Sequence, residues 1–504
     1  MKERWFNYRP LCLIFGFLLL GSVFSFYITQ NLILTIVVCG LILIALIALS
    51  ILKRKPKYFL IPLIAFILGI SAYQIAIYSF DKTIDYTPNQ VQARIYAVSN
   101  EVDGMIKVEA DSCKFDNKET NDNITLLIYD RSGMFENIKV GSIIKFKPYR
   151  FYKSDLFYND TPSSSLYAND LKYTSSVLIE DVEYLGFDKT FAEIVKDKIK
   201  NNISFGLTNE NTEIAYSALF GDKDLLSDKQ YSVYKLSGVA HLLAVSGLHV
   251  GIIAGILQKI LNFKKTKRWW KFSIIALFML AYMYLCGYSV SIIRASIMSI
   301  IFMIADLMGR EHDPFNSIAV AGIVVYAINP LCIFDVGFLL SFGCVVGIVI
   351  LFMPIQKALA KTKMPQNVVK SLSMSLSTTI AIVVIMAYYF RTLNIISIVA
   401  NVILIPIFTI AFTAVFVVSF VSLLIPYFAY LLYPVNYIFS FVNLIATILG
   451  NLSISNFNTI RFNYIAIILY CTLLIFVGRF CTAKYQYKVI SSLTILALLF
   501  CCLL

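Results

Sequence analysis

Polar side chains standing inside apolar runs mark the places where chemistry can reside, because hydrocarbon gives such groups no solvation. The densest group is G-V-A-H-L-L-A-V-S-G-L-H-V-G-I-I-A-G, from Gly238 to Gly255. His241 and His249 are eight residues apart, about 80° around a single helix, so both are expected to face one cavity with Ser246 beside them. Three chemistries fit these residue types. A histidine pair can hold a metal, but no nearby carboxylate and no i, i+4 spacing accompanies this one. Ser246 and His249 can serve as nucleophile and base of an intramembrane hydrolase, but the G-x-S-x-G strand-turn-helix setting is missing. As groups lining a passage or pinning helices together they need nothing else, and we adopt that reading, with packing and substrate contact both open. Gly247, Gly251 and Gly255 recur every fourth residue, a stripe along which another backbone can approach closely.

Further along, Arg294 is the arginine placed well inside an expected span. It can offer a phosphate a bidentate contact, or pair with Asp306 or Asp335. Asp335 with Gly337 opens a helix and can cap it. Asn401 precedes Pro406, which is expected to break a helix, a break tolerated where backbone lines a wet cavity. Glu311, His312 and Asp313 suit a turn before Pro314 better than a metal site. We expect no metal and no cofactor. A second constellation is K-F-K-P-Y-R-F-Y-K, Lys145 to Lys153, where four cations alternate with four aromatics. Lys145, Lys147, Tyr149, Arg150, Phe151, Tyr152 and Lys153 are the candidates for stacking bases and holding phosphates. The alternative is a strand whose aromatics fill a small core while its cations face water.

The elements that must position these residues follow from composition. Of 504 residues 59% are hydrophobic and 14% charged, and the mean hydropathy is +0.75. That excludes a water-soluble fold. The expected fold is a polytopic α-helical membrane protein of about 13 transmembrane helices with an inserted extracytoplasmic β-barrel of the OB type. Residues 1–80 form N-terminal helices near 11–30, 32–52 and 58–80, and 81–186 the β domain. Residues 187–230 form an amphipathic helix and connector, the helix expected on the outer membrane surface. Residues 231–504 form the main membrane domain. Its helices are expected near 240–261, 271–288, 290–308, 316–334, 336–353, 368–390, 394–425, 427–450, 460–479 and 488–504. Strands are expected at 91–98, 105–110, 124–129, 142–147 and 176–184.

No small-x-small cleavage site follows the basic start, so the first helix is read as retained. Basic residues at Lys2, Arg4 and Arg9, at Lys53 to Lys57, and in loops near 264–271, 357–370 and 479–488 put the N-terminus in the cytoplasm and residues 81–210 outside. Of ten cysteines only Cys113 lies in the polar stretch, which leaves that domain without an internal disulfide. Residues 81–200 carry 16 basic and 20 acidic side chains, so the net charge of +13 reflects cytoplasmic loops rather than nucleic-acid binding.

The stretch L-F-G-D-K-D-L-L followed by K-L-S-G-V-A-H-L-L-A-V-S-G-L-H-V-G, Leu219 to Gly251, resembles the signature of the ComEC family of competence proteins. Four further blocks follow in family order: S-V-S-I-I-R-A-S-I-M (Ser289–Met298), G-R-E-H-D-P-F-N-S (Gly309–Ser317), N-P-L-C-I-F-D-V-G-F-L-L-S-F (Asn329–Phe342) and N-V-I-L-I-P (Asn401–Pro406). The resemblance implies a channel carrying single-stranded DNA across the bacterial cytoplasmic membrane in natural transformation. His241, Ser246, Gly247, His249, Arg294, Asp335 and Asn401 are then candidates for the DNA pathway. Implied partners are single-stranded DNA, membrane lipid, a DNA receptor on the outer face, a cytoplasmic ATPase or helicase, since no P-loop is present, and a second copy of the chain. Two departures stand out. Leu339 occupies a position where the family commonly has glutamine, and the metallo-β-lactamase-like domain that many members carry does not follow the last helices. Strand degradation would then fall to another protein, or the chain would be a truncated scaffold that does not transport.

Overall fold

The computed structural model describes residues 9–28, 57–81, 87–98, 104–120, 122–129, 138–154, 157–158, 161–162, 171–223, 225–263, 266–452 and 457–458. The helices expected near 32–52, 460–479 and 488–504 lie outside these residues. Among the described residues six helices are long and apolar enough to cross a membrane, and an eight-stranded mixed sheet stands between the helices Lys57–Asp81 and Phe191–Ile203.

Helices α1 (Pro10–Ile28) and α2 (Lys57–Asp81) are apolar on all sides, as lipid-facing helices are. Small residues let them touch: a Cβ on Gly21 would strike the Phe66 carbonyl, and one on Gly69 the Leu18 carbonyl. Ser22 Oγ donates to the Gly69 carbonyl at 3.1 Å and meets the Tyr326 hydroxyl at 2.6 Å, which ties the pair to a later helix. Gly69→Val is expected to cost about 1–3 kcal/mol by overpacking this crossing. Lower retention of the full chain in membranes, read against an exposed change such as Leu68→Val, is the measurement.

The β region comprises β1 (Val91–Val98), β2 (Met105–Phe115), β3 (Lys118–Glu119), β4 (Asn123–Tyr129), β5 (Ser142–Phe146), β6 (Arg150–Lys153), β7 (Phe157–Tyr158), β8 (Thr161–Pro162), β9 (Leu171–Leu178) and β10 (Val182–Phe187). Alternation puts Val91, Ala93 and Ile95, Ile106 and Val108, and Ile124, Leu126 and Ile128 into one core. The order is β10-β5-β1-β2-β4-β9-β6, and β4 with β9 is the parallel pair. Only Lys147, Pro148 and Tyr149 separate β5 from β6, so the strand bonded to β1 leads directly into the strand bonded to β9. The single strand expected at 176–184 is two, β9 and β10, divided by a tight turn at Ile179–Asp181.

Helix α3 (Phe191–Ile203) begins in a capping box between Thr190 and Glu193. Its apolar face is divided: Ile199 and Ile203 are buried against protein, while Phe191 and Ile194 are exposed. Asn202 Nδ2 donates to the Ser422 carbonyl at 2.8 Å, so the helix is docked on a later span rather than lying on lipid alone. Arg94 of β1, held by Asp111, also reaches Glu193 at 3.3 Å and joins the sheet to α3. Helix α4 (Asn209–Phe220) is buried along most of its length.

After α5 (Asp228–Leu236) and a tight turn at Ala240–Leu243 come α6 (Gly247–Phe263), α7 (Arg268–Leu285), α8 (Val290–Leu307), α9 (Pro314–Ile328), α10 (Val336–Leu359), α11 (Gln366–Phe390), α12 (Ile396–Ser422) and α13 (Tyr433–Gly450). Two expectations need correction. The helix placed at 240–261 begins only at Gly247, so His241 and His249 are not on one helix and the angle between them does not apply. Pro406 does not break its helix, because α12 runs through it; its neighbours' packing outweighs one lost backbone bond.

The irregular backbone lies earlier, at α12's start. Ser375 Oγ reaches the Ile398 carbonyl at 3.4 Å and accepts from Asn401 Nδ2 at 3.2 Å. Ser375 stands about 22 Å before the end of α11, so the chain returns through residues 391–395, extended at Thr392 and Leu393, before α12 begins. Arg391 turns the chain with φ of 54°, and β11 (Thr392–Leu393) pairs with β12 (Phe457–Asn458) on the way.

Candidate functional site

The N-terminus of α6 gathers the first set of candidates. Ser246 precedes the helix, and its backbone N–H donates to His249 Nδ1 at 3.1 Å, with its hydroxyl 3.2 Å from the same nitrogen. This is a capping arrangement with histidine in the place usually held by glutamate. Because Nδ1 accepts, the proton of neutral His249 is on Nε2, which is buried without a partner. The ring is fully buried, with its centroid 4.3 Å from that of Phe412 and 6.1 Å from that of Phe408 on α12. His241, in the preceding turn, is exposed. The two imidazoles lie within electrostatic range of one another.

Arg294 comes to the same place from α8. It is 5% exposed, and its Nη2 lies 3.3 Å from where a Cβ of Gly247 would stand. Its Nη1 donates to the Ser341 carbonyl on α10, its Cζ stands 5.8 Å from the Phe342 ring centre, and its Nε is unpartnered. The ion pairs considered for it do not form: Asp306 is exposed, and Asp335 caps α10 by accepting from Gly337 N and Phe338 N, each at 3.1 Å. Asn401 is apart from this group, bonded to Ser375 with its Oδ1 unpartnered. Four candidates, Ser246, Gly247, His249 and Arg294, therefore meet at one helix start with His241 nearby, whereas Asp335 serves as a cap and Asn401 belongs to the α11–α12 contact.

His312 Nε2 bonds Ser317 Oγ at 2.9 Å, and Asp313 caps α9 and pairs with Arg9 at 2.8 Å, which makes that loop a structural turn. Among the described residues no group of three or more histidine, cysteine, aspartate or glutamate side chains is placed to hold a metal.

In the β domain the Lys145 to Lys153 run divides. Phe146 is buried in the core, and Phe151 stacks on Tyr173 with centroids 5.0 Å apart. Tyr149 and Tyr152 are exposed, as are Lys147, Arg150 and Lys153, with Lys145 partly so. Lys147 also lines an open polar cavity of about 410 Å³ with Asn89, Gln90, Asp116 and Asn117.

One polar feature escaped the sequence reading. Asn211 of α4 donates to Asn436 Oδ1 at 2.8 Å and Ser440 Oγ at 3.1 Å, and accepts from Asn443 Nδ2 at 3.1 Å; Asn443 also accepts from the Tyr234 hydroxyl. Beside this ladder is a cavity of about 500 Å³ lined by Thr208, Asn209, Glu210, Asn211, Ser440 and Asn443. Its signal in the chain was the spacing of Asn436, Ser440, Asn443 and Thr447, which places four polar groups on one face of an apolar helix.

Apolar helices of membrane length, polar groups collected at a helix start among them, and a separate β domain define an integral membrane protein. Residues 218–484 match the family described as Competence protein, and the chain belongs to that family. It is 32% identical over 215 residues to ComE operon protein 3 of Bacillus subtilis (strain 168), a match covering 42% of this chain and 27% of that protein. It is 30% identical over 179 residues to Recombination protein 2 of Haemophilus influenzae (strain ATCC 51907 / DSM 11121 / KW20 / Rd), covering 34% of this chain and 21% of that one. The matches thus span less than a third of either relative. No solved structure matches the chain.

Proposed function

We propose that this protein conducts single-stranded DNA across the bacterial cytoplasmic membrane during natural transformation. The observation that carries the reading is the convergence of Ser246, His249 and Arg294 at the α6 start, beside accessible His241, within the stretch matched to the competence family. A polyphosphate chain cannot enter hydrocarbon, so it needs a wet, hydrogen-bonding path among helices. In this reading the α6 start, the residue 391–395 return and the polar ladder of α13 line that path.

In this reading the chain crosses the bilayer about 13 times, the N-terminus is cytoplasmic and residues 81–210 are outside. The outer domain is an OB barrel: β1, β2, β4, β5 with β6, and β9 stand in for the five strands, with the parallel β4–β9 pair and the β5-to-β6 passage supporting closure. Exposed Tyr149 and Tyr152 stack bases while Lys145, Lys147, Arg150 and Lys153 hold phosphates; Phe151 serves the core. A DNA receptor delivers the strand, a cytoplasmic ATPase or helicase draws it inward, and copies of the chain can assemble in the lipid.

Deleting the gene is expected to abolish entry of labelled DNA into the cytoplasm, and restoring it to return entry; unchanged entry in the deletion refutes the proposal. Tyr149→Ala and Tyr152→Ala are each expected to weaken single-strand binding by roughly 5- to 150-fold, from about 1–3 kcal/mol per stacked base. Oligothymidylate titration of the full chain measures this, and unaltered affinity in both variants removes the stacking role.

The 3.2 Å approach of Ser246 Oγ to His249 Nδ1 favours a second reading, an intramembrane hydrolase. Against it, the same nitrogen accepts the Ser246 N–H, and Nε2 has no orienting acid. Labelling by a serine-directed probe that disappears in Ser246→Ala would establish the hydrolase instead.

A further inference from the structure

Arg294 is a buried cation for which the described residues supply no carboxylate. Removing a guanidinium from water without an opposing charge is costly, and its fork of donors matches an oxyanion. Only one of those donors is committed to protein in a described bond, Nη1 to the Ser341 carbonyl, and Nε is unpartnered. Nη2 is aimed at Gly247, the first residue of a 17-residue helix whose leading N–H groups have no partner within the helix. Helix starts carry partial positive charge and bind anions. A second cation placed at such a start is repelled by it, and an anion bound by both would relieve that repulsion. The absent Cβ of Gly247 lets Nη2 come up to the helix start, since even a methyl group there would press on it.

We propose that Arg294 and the α6 N-terminus form an oxyanion site that holds one phosphate group, as monoester, diester or free phosphate. The inference rests on the channel reading for its occupant, a backbone phosphodiester of the passing strand, but the site itself is defined by charge and geometry alone. It explains why the position is arginine rather than lysine, because a planar fork can bond Ser341 and still present donors to an anion.

The test uses the full chain purified in a maltoside detergent, which contributes no phosphate. Its thermal unfolding is followed with added inorganic phosphate against chloride at equal ionic strength. Phosphate is expected to raise the midpoint by roughly 2–4 °C. Arg294→Gln is expected to lose that rise, and Arg310→Gln, an exposed arginine elsewhere, to keep it. Because Arg294→Gln could simply fail to fold, Gly247→Val provides a second route, filling the space while leaving the charge, and is also expected to lose the rise. Absence of any rise in the unaltered chain, or an equal rise in Arg294→Gln, overturns the proposal.

Oligothymidylate and phosphatidylglycerol, each added in place of phosphate, identify the occupant. An Arg294-dependent rise with either supports the site, from a nucleic acid strand in the first case and a lipid headgroup in the second. An Arg294-dependent phosphate rise with normal DNA uptake in Arg294→Gln would confirm the site and remove it from the DNA route. Lost uptake in that variant with no phosphate rise in the unaltered chain would overturn the site and leave the channel standing.

Discussion

Arg294→Gln is expected to reduce entry of labelled DNA by roughly ten- to a hundredfold while the protein remains in the membrane fraction. A charge-assisted hydrogen bond contributes about 1.5–3 kcal/mol, and the substitution removes the charge while keeping polarity and approximate size. Arg294→Lys keeps the charge but loses the fork, so intermediate entry is the expected result. His241→Leu is expected to abolish entry with little effect on protein abundance, since the side chain is exposed. His249→Leu acts twice: it removes a polar group from the path and the cap from α6, at a cost of about 0.5–2 kcal/mol. Transformation frequency and immunoblots of membranes, measured together for Arg294→Gln, His241→Leu and His249→Leu, separate transport from stability. Undiminished entry in all three would remove the α6 start from the DNA path.

Gly238→Val is expected to be the most damaging single change for the fold. Gly238 has φ of 76°, a left-handed conformation that costs an L-residue roughly 1–2 kcal/mol. A Cβ there would also strike the side chain of Ser397 and press on Asn394. These are the residues that start α12: Asn394 Oδ1 accepts from Ser397 N at 3.0 Å, and Asn394 Nδ2 donates to the Leu236 carbonyl at 2.6 Å. The valine must therefore separate the end of α5 from the start of α12, adding about 1–3 kcal/mol of overpacking. Together about 2–5 kcal/mol, this takes a large share of a total stability of about 5–15 kcal/mol, so a lower unfolding midpoint and reduced abundance are expected. Gly238→Ala should be milder. A Gly238→Val protein with the same unfolding midpoint and abundance as the parent would show that the junction tolerates rearrangement.

Composition and order alone determined that the chain enters a membrane and that a polar, strand-rich domain interrupts it after the early helices. Bilayer thickness sets the length of an apolar run, and alternation of apolar with polar residues marks a strand facing a core, so both can be read locally. The motif blocks from Leu219 to Pro406 likewise pointed to the competence family before any contact was known.

Which polar groups meet could not be read that way. His241 and His249 suggested one helix face, but the turn at Ala240–Leu243 separates them, and only folding brings Arg294 from α8 to Gly247 on α6. Asp335 has the same chemistry in the chain as any path-lining carboxylate, and its spacing to Gly337 allowed a cap that only the hydrogen bonds confirm. Phe151 and Tyr152 are adjacent aromatics, yet one faces the core of the sheet and the other water, because strand pleating sends neighbours to opposite sides. Pro406 looked like a break and is not, whereas the true irregularity at residues 391–395 carries no proline at all. Length and hydropathy are properties of a segment; the pairing of Arg294 with a helix start, or of Asn211 with three partners on another helix, depends on residues far outside that segment, more than two hundred positions away in the second case. Tertiary packing alone decides those.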